Sequence, residues 1–415
     1  MSKPDPARWS FTTRTVHNDR LAGVEHGGIH KPLHTSVQYG YANSAELIDV
    51  FQGTVAGFNY ARQGTPTTAS LEACVNRMED GRGTLCFATG MAAITAIFTT
   101  LLKAGDHLVA SRFVFGNTSS LLGTLQGLGI RVSLVDATDA AAVEAALTPQ
   151  TRMVFVETIA NPRTQVADLA GIGALCAAKK LVYVVDNTVT SPWLFQPKTV
   201  GASLIVNSLT KSIGGHGNAL GGALTDTGLF DWSDYPNIFP AYRKGDPTAW
   251  GLGQLKKKGL RDQGGALSSE AAHHLAVGAE TLGLRMAATS ANAQALAELL
   301  EAHPAVRTVY YPGLESHAQH TRTKELFRGA SWLLAFELKD DADCLPFIDR
   351  LTLPIIATGL GDTRSLIIPV AHTIFWEMGA EKRAEMGISD SLIRVSVGIE
   401  ETQDILDDFA VALAG

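Results

Sequence analysis

The chain has 415 residues, 46% hydrophobic and 18% charged, with a formal net charge of −7. It is too long for one small domain, its composition argues against disorder, and it has room for a substantial core. The acidic balance and the lack of a long Lys/Arg-rich run leave no electrostatic case for nucleic acid. No apolar stretch approaches the roughly 20 residues of a membrane span, and the opening residues lack the apolar core of a signal peptide. Cys74, Cys86, Cys176 and Cys344 have no CxxC spacing. The expectation is a cytoplasmic protein with reduced thiols and no bound metal.

In chain order, Gly27, Gly28, Pro32, Gly40, Gly53 and Gly57 interrupt every periodicity of the first sixty residues. Residues 1–63 therefore read as an extended arm lying on a partner surface. His26, His30 and His34 would line one face of a helix, but the glycine pair and Pro32 argue against that helix and against a metal site. Over 64–255, apolar runs at Leu108–Ala110, Met153–Val156, Leu181–Val185 and Leu204–Val206 alternate with helical spacing at Met91–Lys103 and Leu169–Lys180. This pattern predicts an α/β unit with an open, mostly parallel sheet whose ligands collect where strands end. Over 256–415, a helical stretch from Ser268 to Leu300 precedes strands at Val306–Tyr311, Trp332–Glu337 and Leu392–Val397 and a closing helix from about Glu400. A smaller α+β domain is expected there.

Four segments carry candidate chemistry. Asp186 ends the apolar run Leu181–Val185, where an acid is costly without a cationic partner. A protonated pyridine nitrogen would serve, and so would an ordinary turn. Lys211 follows the run Leu204–Val206, flanked by Ser208 and Thr210. Partial burial would supply the free amine that Schiff-base chemistry needs, and the hydroxyls could bind a phosphate, although a surface lysine is the plain alternative. Thr89-Gly90-Met91 is a glycine turn opening a helix, a weak anion-site signal on its own. Tyr60 and Arg62 lie in the arm, where a guanidinium fork could clamp a phosphate or simply face solvent.

Taken together these segments resemble the trans-sulfuration (Cys/Met metabolism) family of fold-type I pyridoxal-phosphate enzymes. The resemblance runs in order over nearly the whole chain: Tyr60-x-Arg62, Thr89-Gly90-Met91, Glu157 to Asn161-Pro162, Val185-Asp186-Asn187-Thr188, Ser208-x-Thr210-Lys211 and Arg394-Val395-Ser396-Val397-Gly398. It implies pyridoxal 5'-phosphate as cofactor, held by Lys211 as a Schiff base, with Asp186 on the ring nitrogen. It further implies that Gly90, Met91, Ser208 and Thr210 hold the phosphate and Asn161 the ring hydroxyl, with Thr188 among the contacts. Phe115 would stack on the ring and Arg394 would grip the substrate carboxylate. Tyr60, which could also supply a proton, and Arg62 would reach in from a neighbouring protomer. The expected assembly is a homotetramer of active dimers.

Within that family, Lys211 to Gly217, with its GGHG ending, and the stretch Gly259 to Gly264 are similar to O-acetylhomoserine sulfhydrylases. The family's usual tyrosine is Phe115 here, as O-succinylhomoserine sulfhydrylases tend to have. The family's Ser-Leu-Gly stands as Gly359-Leu360-Gly361. The substrate loop reads Ile368 to Ile374, which makes Gly359 and His372 candidates for substrate recognition. The expected reaction is γ-replacement on an O-acyl-L-homoserine (acetyl or succinyl) by sulfide or a thiol, giving homocysteine, methionine or cystathionine. The alternatives are a C–S lyase acting on methionine or cystathionine, and a non-catalytic cofactor-binding homologue. A nicotinamide dehydrogenase is disfavoured by the lack of a G-x-G-x-x-G after an early strand.

Overall fold

The structure is a computed structural model that describes residues 6–415. Its larger sheet contains β1 (Gly83–Phe87), β2 (His107–Ser111), β3 (Arg131–Val135), β4 (Thr151–Glu157), β5 (Val182–Asp186), β6 (Leu204–Ser208) and β7 (Gly222–Asp226), in the order β1-β7-β6-β5-β4-β2-β3. From β3 to β6 every pairing is parallel, while β7 runs antiparallel to both β6 and β1. β1 therefore points the same way as the parallel set. Residues Val182 to Val185 of the central β5 are fully buried, as a strand covered on both faces requires.

The smaller sheet contains β8 (Val306–Tyr310), β9 (Leu333–Leu338), β10 (Ile355–Ile356), β11 (Leu366–Pro369) and β12 (Leu392–Ser396), ordered β10-β11-β12-β9-β8. Its core is shared with the helices Leu282–Ala302 and Thr402–Leu413, through Leu296, Leu300, Ile405 and Phe409. The fold is the expected one, a large α/β layer with a mixed, mostly parallel sheet and a smaller α+β layer beside it.

Three local features differ from the sequence expectation. β3 and β7 were not foreseen because neither is a continuous apolar run, and β7 even buries Asp226 completely; β1, with Leu85–Phe87, and β11, with Leu366–Ile368, are short apolar runs that were passed over. The stretch from Ser268 to Leu300 is two helices, Ser269–Glu280 and Leu282–Ala302, which meet at Thr281. The arm is not extended throughout. Helices Phe11–Val16 and Asn18–Ala22 pack on this same chain, with Asn18 Nδ2 donating to Ser70 O at 3.1 Å. Only from residue 28 does the chain run without helix, up to Ser44–Gln52, so His26, His30 and His34 share no helix.

The loop after β6 is clamped by the helices at 269–302. Arg285, 7% exposed, donates to the carbonyls of Ser212, Ile213 (3.1 Å) and Gly278 (2.6 Å), and forms no ion pair among the described residues. Three carbonyl dipoles solvate this buried cation in place of water. A Cβ on Gly278 would lie 2.0 Å from Gly214 O, so only glycine lets the helix approach the loop this closely. Arg285→Met strands these carbonyls and is expected to lower stability by roughly 2–5 kcal/mol. Gly278→Ala is expected to cost about 1–3 kcal/mol. Urea denaturation of each variant against the parent checks both figures.

Candidate active site

Strands that share a direction end at a common edge, and the chemistry-bearing residues lie there. β1 leads into Thr89-Gly90, β2 into Phe115, β4 ends on Glu157, β5 on Asp186, and β6 on Ser208 three residues before Lys211. The turn at Thr89-Gly90 rests directly on neighbouring strands. A Cβ on Gly90 would lie 3.0 Å from Ser208 Cβ, and one on Gly222 would lie 2.2 Å from Thr89 O. Thr89 caps the helix Gly90–Leu101 by accepting from Ala92 N, which leaves the first amides of that helix facing the edge.

These residues line a cavity of about 500 Å³ that also receives Arg394 from β12. Lys211 Nζ forms no ion pair among the described residues, and burial, then Arg394, lowers its pKa below the ordinary lysine value. Asp186 and Glu157 are register partners on adjacent parallel strands, so their side chains leave the same face. Burial raises both carboxyls. Glu157 is raised further by Asp186, while Thr188 opposes the shift of Asp186. Thr188 N donates to Asp186 Oδ1 at 2.9 Å, and Phe115 N donates to Glu157 Oε1 at 2.6 Å. Arg394, 2% exposed, donates through Nη2 to Thr358 O (2.9 Å) and Gly359 O (3.0 Å) and approaches Asn161 Oδ1 at 3.5 Å. Its pKa is lowered to about 9 by burial.

Of the residues singled out in the sequence, Gly90, Met91, Phe115, Asn161, Asp186, Thr188, Ser208, Thr210, Lys211 and Arg394 line this one cavity. Thr188 Oγ1 accepts from Ser208 N at 2.8 Å, and Thr210 Oγ1 is tied to the backbone of Gly221. Gly359 contributes only its carbonyl to Arg394. His372 is exposed and outside the lining; Ile374 and Phe375 of the same loop enter it instead. Tyr60 and Arg62 are also outside, with Arg62 Nη1 donating to Arg261 O at 2.5 Å. His216 Nδ1 bonds Gly214 O at 2.6 Å, a structural contact.

Sequence reasoning gave Glu157 no role, yet it closes an apolar strand just as Asp186 does. Pairing the two required knowing the register. The loop from Lys211 is also held from the small sheet. Thr363 N donates to Gly215 O at 2.8 Å, Arg364 Nη2 donates to His216 O at 3.0 Å, and a Cβ on Gly361 would lie 2.6 Å from Ser212 N. A larger surface hollow, about 1090 Å³, opens at the opposite edge of the sheet; its Lys179 and Lys180 are paired with Glu144 and Asp234.

The cavity fits pyridoxal phosphate on its own features. It offers an amine with no ion pair among the described residues, a half-buried acid at a strand end, and a helix N-terminus beside the Ser208 hydroxyl. Two buried donor atoms, Asn161 Nδ2 and Arg394 Nε, have no hydrogen-bond partner among the described residues. Comparison with known proteins agrees. The O-succinylhomoserine sulfhydrylase of Pseudomonas aeruginosa is 36% identical, over 94% of this chain and 91% of its own. The cystathionine gamma-lyase of Bacillus subtilis is 35% identical, over 97% and 98%. A crystal structure described as an O-acetylhomoserine (thiol)-lyase from Campylobacter jejuni, carrying N'-pyridoxyl-lysine-5'-monophosphate, superposes with a TM-score of 0.92 at 30% identity, over 98% of this chain and 100% of that one. A replacement enzyme and a lyase are thus almost equally similar, and what they share is family and cofactor. Residues 12–414 match the Cys/Met metabolism PLP-dependent enzyme family, and the chain belongs to it.

Proposed function

We propose that this enzyme catalyses γ-replacement on an O-acyl-L-homoserine, with sulfide or a thiol as the incoming group. The observation that carries this reading is Phe115, together with a cavity whose described lining contains no tyrosine, histidine or cysteine. An acyl group leaves as a carboxylate whose conjugate acid has a pKa of about 4–5. A thiolate, with a conjugate-acid pKa of about 8.5, needs far more help from a general acid. A ring face without a tyrosine hydroxyl suits the ester, with Lys211 left as the proton carrier. The lyase reading is supported by the similarity to the Bacillus subtilis enzyme, and it would use the same cavity.

Bound pyridoxal phosphate supplies an electron sink that acidifies the Cα and Cβ hydrogens of the amino acid. Lys211 Nζ, its pKa lowered by burial, is suited to hold the cofactor and then to take and return these protons. Asp186 is placed to keep the ring nitrogen protonated, and Phe115 to cover the ring. The Gly90 and Met91 amides, with Ser208 and Thr210, are suited to the phosphate, and Asn161 Nδ2 to the ring hydroxyl. Arg394 is suited to the substrate carboxylate, with Thr358 and Gly359 holding its fork in place. Tyr60 and Arg62 would serve a second copy of the chain. The exposed Ile29, Val37, Phe51 and Val55 of the arm support an interface there, in an assembly we read as a homotetramer of active dimers. Four buried free cysteines suit a reducing compartment such as the cytoplasm.

Lys211→Ala is expected to abolish the lysine-linked visible absorbance on reconstitution and to lower turnover by about 1,000-fold or more. Arg394→Met should raise KM for the amino-acid substrate roughly 10- to 100-fold, with less effect on kcat, through loss of a charge-assisted contact. Phe115→Tyr is expected to raise thioether elimination about tenfold relative to replacement; an unchanged ratio would sink the leaving-group argument. The direct test is a product assay with O-acetyl- and O-succinyl-L-homoserine, with and without sulfide or methanethiol, beside methionine and cystathionine. Homocysteine or methionine formed from an ester only when thiol is present supports replacement, and prompt 2-oxobutyrate from a thioether overturns it.

A further inference from the structure

Behind the strand ends lies a carboxyl group that the proposed chemistry does not use. Glu79 follows the helix Pro66–Met78 and is fully buried, as are Asn187 and Asn207. Its Oε1 accepts from Asn187 Nδ2 at 2.9 Å and from Asn207 Nδ2 at 2.6 Å. Asn187 directly follows Asp186 at the end of β5. Asn207 directly precedes Ser208 at the end of β6. One carboxyl therefore ties together the two strand ends that carry the candidate ring-nitrogen partner, a phosphate ligand and the approach to Lys211.

The unpaired atoms say in which form it does so. Glu79 Oε2 and Asn207 Oδ1 are both buried and both lack a partner among the described residues. Two acceptors cannot satisfy each other, but one proton on Oε2 would make it a donor. Asn207 Nδ2 already bonds Oε1, so an Oε2–H bond to Asn207 Oδ1 would close an acid–amide ring in which both orphans are satisfied. Rotating the Asn207 amide by half a turn would forfeit the 2.6 Å bond. Asn187 is already engaged, since its Oδ1 accepts from the Thr190 hydroxyl and its Nδ2 also donates to Phe195 O at 3.0 Å, and it leaves no orphaned atom of its own.

We infer that Glu79 is a neutral carboxylic acid paired with the Asn207 amide, and that it is a positioning residue fixing the spacing of β5 and β6 beneath the cofactor residues. The positioning role rests on the site reading under Proposed function. Burial, opposed by the two asparagine bonds, raises Glu79 from 4.5 to about 7. No charged neighbour contributes. Asp80 pairs with Lys198, Arg77 with Asn18, Asp226 accepts from Gly228 N, Glu72 from Cys86 N, and Asp186 from Thr188 N. With its folded pKa raised, Glu79 contributes stability that is complete below its unfolded value of 4.5 and is lost as pH rises to about 7.

The test follows the holoenzyme from about pH 4.5 to about pH 8, comparing the parent with Glu79→Gln and Glu79→Leu. Thermal midpoint, cofactor release rate and the circular dichroism of the bound-cofactor band are measured. Glutamine reproduces the neutral acid, with its Nε2 donating to Asn207 Oδ1. The expected result is that Glu79→Gln makes the midpoint loss between pH 4.5 and about 7 shallower, leaving the share of Glu72 and Asp226, which burial raises to about 7 and about 6, keeps release within about twofold, and keeps the dichroic band. Glu79→Leu should release cofactor about tenfold faster or more, with a changed band. A Glu79→Gln slope parallel to the parent's, or release as fast as in Glu79→Leu, would overturn the neutral acid. Parent-like release and band in Glu79→Leu would overturn the positioning role. If Glu79→Leu does not fold, Asn207→Ala takes its place with the same outcomes. Failure of the site reading is distinguishable, because Lys211→Ala would then retain the parent's cofactor band.

Discussion

A charge withdrawn from water must find a partner, and the cleft holds two cationic side chains that form no ion pair among the described residues. Arg394 is buried and Lys211 half-buried, and neither forms an ion pair among the described residues. The protein meets the cost of keeping them there with backbone dipoles, as at Thr358 and Gly359 for Arg394, and by depressing the lysine's affinity for its proton. Affinity for an anionic, carbonyl-bearing ligand is therefore built into the empty geometry. The opposite wall supplies the reverse condition, two adjacent carboxyls that would welcome a cation.

Such an arrangement holds only if the backbone beneath it is rigid. Close approach supplies that rigidity. Gly90 and Gly222 let the Thr89-Gly90 turn sit on the strand ends, Gly278 seats a helix on the lysine loop, and Arg285 gathers the loop's carbonyls. Each contact excludes a Cβ or satisfies a dipole that water would otherwise reach. The lysine is thus set by packing on the side opposite its chemistry.

Much of this was legible in the sequence, for a physical reason. β2, β4, β5 and β6 are buried on both faces, so they had to be apolar runs, and a polar residue that ends such a run is conspicuous. Asp186, Ser208 and Lys211 stood out in that way, and the structure gathers them in one cavity. β3 and β7 lack such runs and were not visible, whereas Leu85–Phe87 of β1 is such a run and was missed for its shortness. Glu157 stood in plain view, but its meaning depends on facing Asp186 across two strands, and register is a property of the assembled sheet. The helical start of the arm was hidden because Thr15 and Asn18 are buried by contacts with distant residues such as Ser70, which no local pattern encodes. The entry of Ile374 and Phe375 instead of His372 is decided by the course of a loop, which periodicity does not describe.

The grip of Thr363, Arg364 and Gly361 on the Lys211 loop has a bearing on how the molecule would come apart. The loop belongs to the large sheet, yet one side of it is furnished by the small one. Parting of the two layers would bare the proposed lysine linkage to solvent before either sheet lost a strand. The colour of the bound cofactor is then a gauge of whether the two layers are joined, and its bleaching would mark their separation as a distinct event, earlier than the melting of either core.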